Sequence, residues 1–143
     1  MEKRIQIIPE EIHLFGIDIV EEKLKKDDFV NCENNHSGIA HKIMHNLEDE
    51  RIKIEFIFSF SDSNDKEIGF FHIDFFFKIE HMENFYNLSE DNNPIFLGEL
   101  IATLYGIAFS TSRGIIFERF REEGIENVIL PVVSPQKMLN CKK

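Results

Sequence analysis

The side chains best suited to chemistry sit close together: Cys32, His36, His41 and His45, spaced C-x3-H-x4-H-x3-H. Sulfur and imidazole hold zinc where short spacings bring them to one point, but this spacing matches no common zinc pattern. If residues 39–47 form a strand, His41 and His45 stand about 13 Å apart at roughly 3.3 Å per residue and cannot share an ion. In a helix their i,i+4 relation could bring them together. Asp62-x-Asn64 opens like a calcium loop, yet Glu67 stands where that loop needs glycine and Ile73 where it needs a bidentate Glu. Glu99 is the one acid inside an apolar helical run. It is either a carboxyl perturbed for catalysis or a solvated residue of the first turn. No G-x-S-x-G, phosphate-cradling glycine loop or H-E-x-x-H occurs. The expectation is a protein without catalytic residues, metal or cofactor.

The elements around these residues account for most of the composition. The chain has 143 residues, enough for a single domain spanning 1–143. It carries a formal net charge of −10, which repels nucleic acid and anionic membrane. The start, MEKRIQIIPEE, does not read as a signal peptide. No run approaches a membrane span. Cys32 and Cys141 make no disulfide framework, so a reducing cytoplasm is expected. Fifteen Phe and no Trp leave aromatic surface to spare after a core is filled.

Residues 5–20 read as a long strand or a bent pair, with Ile12 and Leu14 on one face and His13, Phe15, Ile17 and Ile19 on the other. Pro9 and Gly16 hint at an edge position or a bulge. Residues 21–38 read as a long crossover loop. In 51–61, Ile52, Ile54, Phe56, Phe58 and Phe60 alternate with polar residues; in 69–80, Phe71, Ile73, Phe75, Phe77 and Ile79 do the same. That leaves Phe70 and Phe76 on the wetter face. Residues 47–50 and 61–66 are short enough for turns, and 82–93 reads as a linker. Strands first and helix last makes this α+β with an antiparallel meander.

Residues 94–139 hold a long apolar helix and a tail. Pro94 suits a first turn, Asn92 and Asn93 a cap, and Gly124 a stop. A break is expected near 110–114. One apolar stripe runs through Leu97, Leu100, Ile101, Leu104, Ala108, Thr111 and Ile115. A second runs through Tyr105, Phe109, Ser112, Ile116 and Phe120. One sheet face cannot cover both, so the second stripe is expected to form an oligomer interface.

The tail, V-I-L-P-V-V-S-P-Q-K-M-L over 128–139, and the Arg113-Gly114 pair within the helix resemble the SecB-type export chaperones, especially the divergent SecB-like subgroup. The resemblance implies a four-stranded antiparallel sheet backed by the long C-terminal helix, assembled as a dimer or dimer of dimers. It implies an ATP-independent holdase for unfolded or precursor polypeptides. The client groove would be lined by Phe29, Phe85 and Tyr86. The surplus aromatics Phe70, Phe76 and Phe96 join them as client-binding candidates. Outward acids, Asp74 and more weakly Glu11, would meet the SecA motor. Some SecB-like proteins instead guard an antitoxin. Two other readings compete: an oligomeric adaptor for one folded partner, and a hotdog-type acyl-transfer enzyme. In the hotdog fold the helix follows the first strand or two, whereas here it follows the whole meander.

Overall fold

Alternation is the rule that builds the sheet. A computed structural model describes residues 6–126, 128 and 130. Four long strands, β1 (Ile12–Leu24), β2 (His36–Asn46), β3 (Arg51–Ser61) and β4 (Glu67–Ile79), form an antiparallel sheet in the order β1-β4-β3-β2. Every second residue of β3 from Ile52 to Phe60 is buried. Phe77, Phe75, Ile73 and Phe71 of β4 oppose Ile52, Ile54, Phe56 and Phe58 in register, and Ile79 continues the same face. Together they make an inner face of six phenylalanines, Phe56, Phe58, Phe60, Phe71, Phe75 and Phe77, each at most 1 % exposed. A fully buried aromatic is worth roughly 1.5–3 kcal/mol, so this layer dominates the stability of the fold.

The helix α2 (Gly98–Glu122) lies over that layer. Tyr105 packs on Phe56, Phe109 on Phe56 and Phe58, and Phe120 on Phe60 and Phe71. Its buried residues are Leu100, Leu104, Tyr105, Ala108, Phe109, Ser112, Ile116 and Phe120, one continuous stripe drawn from both stripes expected from the sequence. The expected partner-facing set of Tyr105, Phe109, Ser112, Ile116 and Phe120 therefore faces the chain's own sheet. The pleated sheet is wide enough to take two adjacent helical rows. What stays uncovered is a third row, with Ile107 37 % and Phe117 65 % exposed. By length and composition α2 also meets the requirements of a membrane-crossing helix, which the sequence reading missed. In this fold its buried stripe is sheet-packed.

Several boundaries differ from expectation for local reasons. The helix has no break at 110–114: Thr111 and Ser112 donate their hydroxyls to the carbonyls of Ile107 and Ala108 within the helix. It starts at Gly98, not Pro94, because Pro94–Phe96 is a strand, β6, paired with β5 (Tyr86–Leu88). Asn92 at φ 60° and a Ser89 N–H to Asn93 carbonyl bond close the turn between them. The expected linker is thus half of a hairpin. At the other end Gly124, at φ 72°, stops the helix, with the Ile125 N–H returning to the Phe120 carbonyl.

The expected long loop is mostly structured. β1 continues to Leu24, and a short helix, α1 (Lys26–Val30), drives Phe29 into the core against Phe60 and Phe120. Bulges between Leu14 and Gly16 and between Ile19 and Glu21 reset the alternation of β1. Ile17 and Ile19 rejoin the face of Ile12 and Leu14, and Phe15 is thrown outward at 51 % exposure. The 61–66 turn is held by the Asp62 carboxylate, which accepts the Asn64 and Lys66 N–H groups. That is turn chemistry, not a calcium loop. Glu99 is exposed in the first helical turn.

Candidate functional site

The Cys/His stretch resolves by strand geometry. β2 places His41 and His45 along its inner side, opposite Phe56 and Ile52. His41 Nδ1 and the Tyr105 hydroxyl share a 2.8 Å hydrogen bond, and the two rings meet edge to face. Burial pushes the Tyr105 phenol up to about 12, since the phenolate would lose its hydration. His45 instead meets Phe96 of the hairpin edge to face, with centroids 5.7 Å apart. The two imidazoles serve different neighbours and do not converge on an ion. The Cys32 thiol donates to the Asn34 carbonyl.

His45 is where exposed apolar surface gathers. On one side lies the hairpin. Tyr86 and Phe96 face each other across it, 5.7 Å between ring centres, while Leu88 and Ile95 are 55 % and 62 % exposed. Phe85, Tyr86, Ile95, Phe96 and Leu97 line a hollow of about 350 Å³ beside it. On the other side a hollow of about 560 Å³ is lined by Phe15, Met44, His45, Arg51, Lys53 and Phe76. There Phe15 and Phe76 pair at 6.1 Å, with the Arg51 guanidinium 4.9 Å above Phe15 and the Lys53 ammonium 5.6 Å above Phe76. The Phe96–His45 contact links the two hollows around the end of β2, an edge strand of the sheet. Two pieces of local sequence create this path. Alternation after Leu14 turns Phe15 out beside Phe76, and the asparagine-rich turn at 89–93 folds the hairpin.

The expected client-binding residues divide by burial. Tyr86 and Phe96 are half-buried on the path, and Phe76 is half-buried in the outer hollow. Phe70 is half-buried on the outer face, opposite Lys23 and Ser59 and away from the path. Phe29 is fully buried and Phe85 5 % exposed. Both are core residues here, because α1 and the turn at Met82–Phe85 carry them inward. Sequence reasoning missed Phe15, Met44, His45, Leu88 and Ile95. The Ser/Asn-rich turn flanked by apolar residues was a readable signal for the last two.

The expected motor-facing acids also separate. Glu11 is half-buried at the head of β1. Asp74 does lie on the outer face of β4, but only 5 % exposed, beside Lys53 and His72. Arg119 pairs within the chain, with Glu22 of β1 at 3.3 Å and with Glu122. The tail carrying the family resemblance lies outside the described residues, apart from Val128 and Leu130, which border a hollow along α2 with Arg113, Gly114 and Phe117.

This arrangement of one sheet and one covering helix is similar to that of Rv1957 of Mycobacterium tuberculosis, described as a SecB-like chaperone in complex with a ChAD peptide from the Rv1956 HigA1 antitoxin. The TM-score is 0.51 at 9 % sequence identity, over 87 % of this chain and 92 % of that chain. No protein-family model matches the chain, and no curated protein sequence matches it. The fold is therefore α+β of the SecB-like type, a four-stranded antiparallel sheet with a long C-terminal helix.

Proposed function

We propose that the chain is a holdase chaperone that needs no nucleotide, holding unfolded polypeptide along the aromatic path around His45. The observation that carries this reading is the Phe96–His45 contact, which joins two exposed aromatic hollows into one surface. Exposed apolar area rimmed by charge marks protein-binding surface. Aromatics and a methionine on a short hairpin and a sheet edge suit many sequences better than a shaped pocket does. A net charge of −10 keeps a loaded complex in solution.

Of the two SecB-like roles, guarding an antitoxin is the better supported. The similar solved structure holds an antitoxin peptide. Export through a SecA motor needs presented acids, and the Asp74 carboxylate is engaged with Lys53 and His72. We place the protein in the cytoplasm and assemble it as a homo-oligomer through the uncovered row of α2.

The test is aggregation of a reduced, chemically unfolded protein, followed by light scattering without ATP. Stoichiometric amounts of the wild-type chain are expected to delay aggregation. The double variant Leu88→Asp/Ile95→Asp, altered only at exposed positions, is expected to fold normally and to lose most of that effect. No delay by the wild type refutes the holdase reading and favours an adaptor for one folded partner.

A further inference from the structure

Beside the outer hollow, the middle of the outer sheet face carries a knot of charged groups. Asp74 sits there 5 % exposed, although its side of the sheet faces solvent. A carboxylate removed from water needs compensation. Glu55 of β3 stands directly opposite it in register. His72 lies two residues back on β4, hence on the same face. His72 Nε2 is 3.0 Å from Asp74 Oδ1 and 3.6 Å from Glu55 Oε1, and one ligand atom from each of the three residues falls within 4.8 Å of the others. His72 Nε2 and Asp74 Oδ1 are both buried and in ion-pair range of each other, yet neither makes a hydrogen bond of good geometry. With the imidazole neutral, two acceptor atoms so close and without a shared hydrogen bond leave a place for a cation. Lys53 supplies one: its ammonium is 3.4 Å from Asp74 and 3.6 Å from Glu55.

We propose that Glu55, His72 and Asp74 form a site for a divalent transition-metal ion of the zinc class, which Lys53 holds as a resident counter-ion until the metal displaces it. One imidazole nitrogen with two carboxylate oxygens is a donor set for zinc and its neighbours; calcium and magnesium favour oxygen alone. The donors stand on β3 and β4, the two inner strands of the sheet, so their backbone is fixed on both sides. Lys53 is free to leave: its side chain is 31 % exposed, and its ammonium already stands 5.6 Å over the Phe76 ring. This inference does not depend on the chaperone reading.

Zinc is titrated calorimetrically into the wild-type chain and into the variants Lys53→Met and His72→Gln, with cobalt absorption as a second readout. The site predicts one ion per chain. Lys53→Met should bind zinc roughly tenfold tighter or more, because a like charge about 4 Å away is removed. That variant should also recover in thermal stability when zinc is added. His72→Gln should lose at least roughly a hundredfold in affinity, the upper end of what losing even an outer-sphere partner costs. The controls His41→Gln and His45→Gln should bind as wild type. If His72→Gln fails to fold, Glu55→Gln is expected to show the same loss. Zinc binding that is absent, or unchanged by these ligand variants, shows that the cluster is a Lys53-centred ion-pair network and overturns the site.

Discussion

Tyr105 shows how a single burial sets a measurable property. Its hydroxyl sits under the sheet, bonded to His41, and burial raises its ionisation to about 12 from a usual value of 10.0. Below pH 10 both folded and unfolded chains keep the phenolic proton, so the group adds no pH dependence. As pH rises from 10 to 12 the unfolded chain releases the proton and the folded chain does not. Stability therefore falls over that window, by about 2 kcal/mol, the slope approaching about 1.4 kcal/mol per unit only between the two ionisations. Urea unfolding between pH 9 and 12 is expected to show this loss in the wild type and to lack this contribution in Tyr105→Phe. An equal loss in both would mean that Tyr105 is not the group responsible.

The same scale explains what could be read from sequence. The inner phenylalanines of β3 and β4 were legible because nothing interrupts their alternation from Ile52 to Phe60 or from Phe71 to Ile79. Ile17 and Ile19 were not, because a bulge shifts the phase of β1 after Leu14 and returns them to the face of Ile12 and Leu14. Phe29 was misplaced because its neighbours Lys25, Lys26, Asp27 and Asp28 read as solvated loop. One turn of helix suffices to bury a single aromatic among them. It fills the space over Gly69, where an added Cβ would come within 2.8 Å of the Phe29 ring. Asp74 was correctly put on the outer face but not buried, since burial there depends on Lys53 and Glu55 from another strand.

At the scale of elements, α2 carries the central argument. Its existence and its glycine stop follow from composition, but which row meets the sheet does not, because three adjacent rows are apolar. The sheet takes the two rows holding the largest side chains, Tyr105, Phe109 and Phe120, which interlock with Phe56, Phe58 and Phe60. The row left over includes Ile107, Ser110, Gly114 and Phe117, all exposed. Exposed Ile and Phe around small residues permit close approach by a second helix. Phe117→Glu places a charge on that row without touching the sheet-packed stripe. It is expected to leave secondary structure unchanged and to lower the mass measured by light scattering from an oligomer to a single chain. An unchanged mass would remove this row from the proposed oligomer interface.

For the whole molecule, the account divides labour between two faces of one sheet. The inner face is closed by α2 and gives stability. The path from the outer hollow around His45 to the hairpin stays open and is the proposed binding surface. Element order and the antiparallel arrangement were legible because short turns join β2, β3 and β4. The path was not, since it is assembled from the start of β1, the end of β2 and the hairpin, segments distant in sequence. Light-driven cross-linking from a photoreactive residue placed at Ile95, with the same residue at Ser63 in the turn at the other end of β3 and β4 as reference, tests the path most directly. With an unfolded client present, strong client adducts are expected from position 95 and few from 63. Adducts from 63 alone, or none from 95, would contradict the path.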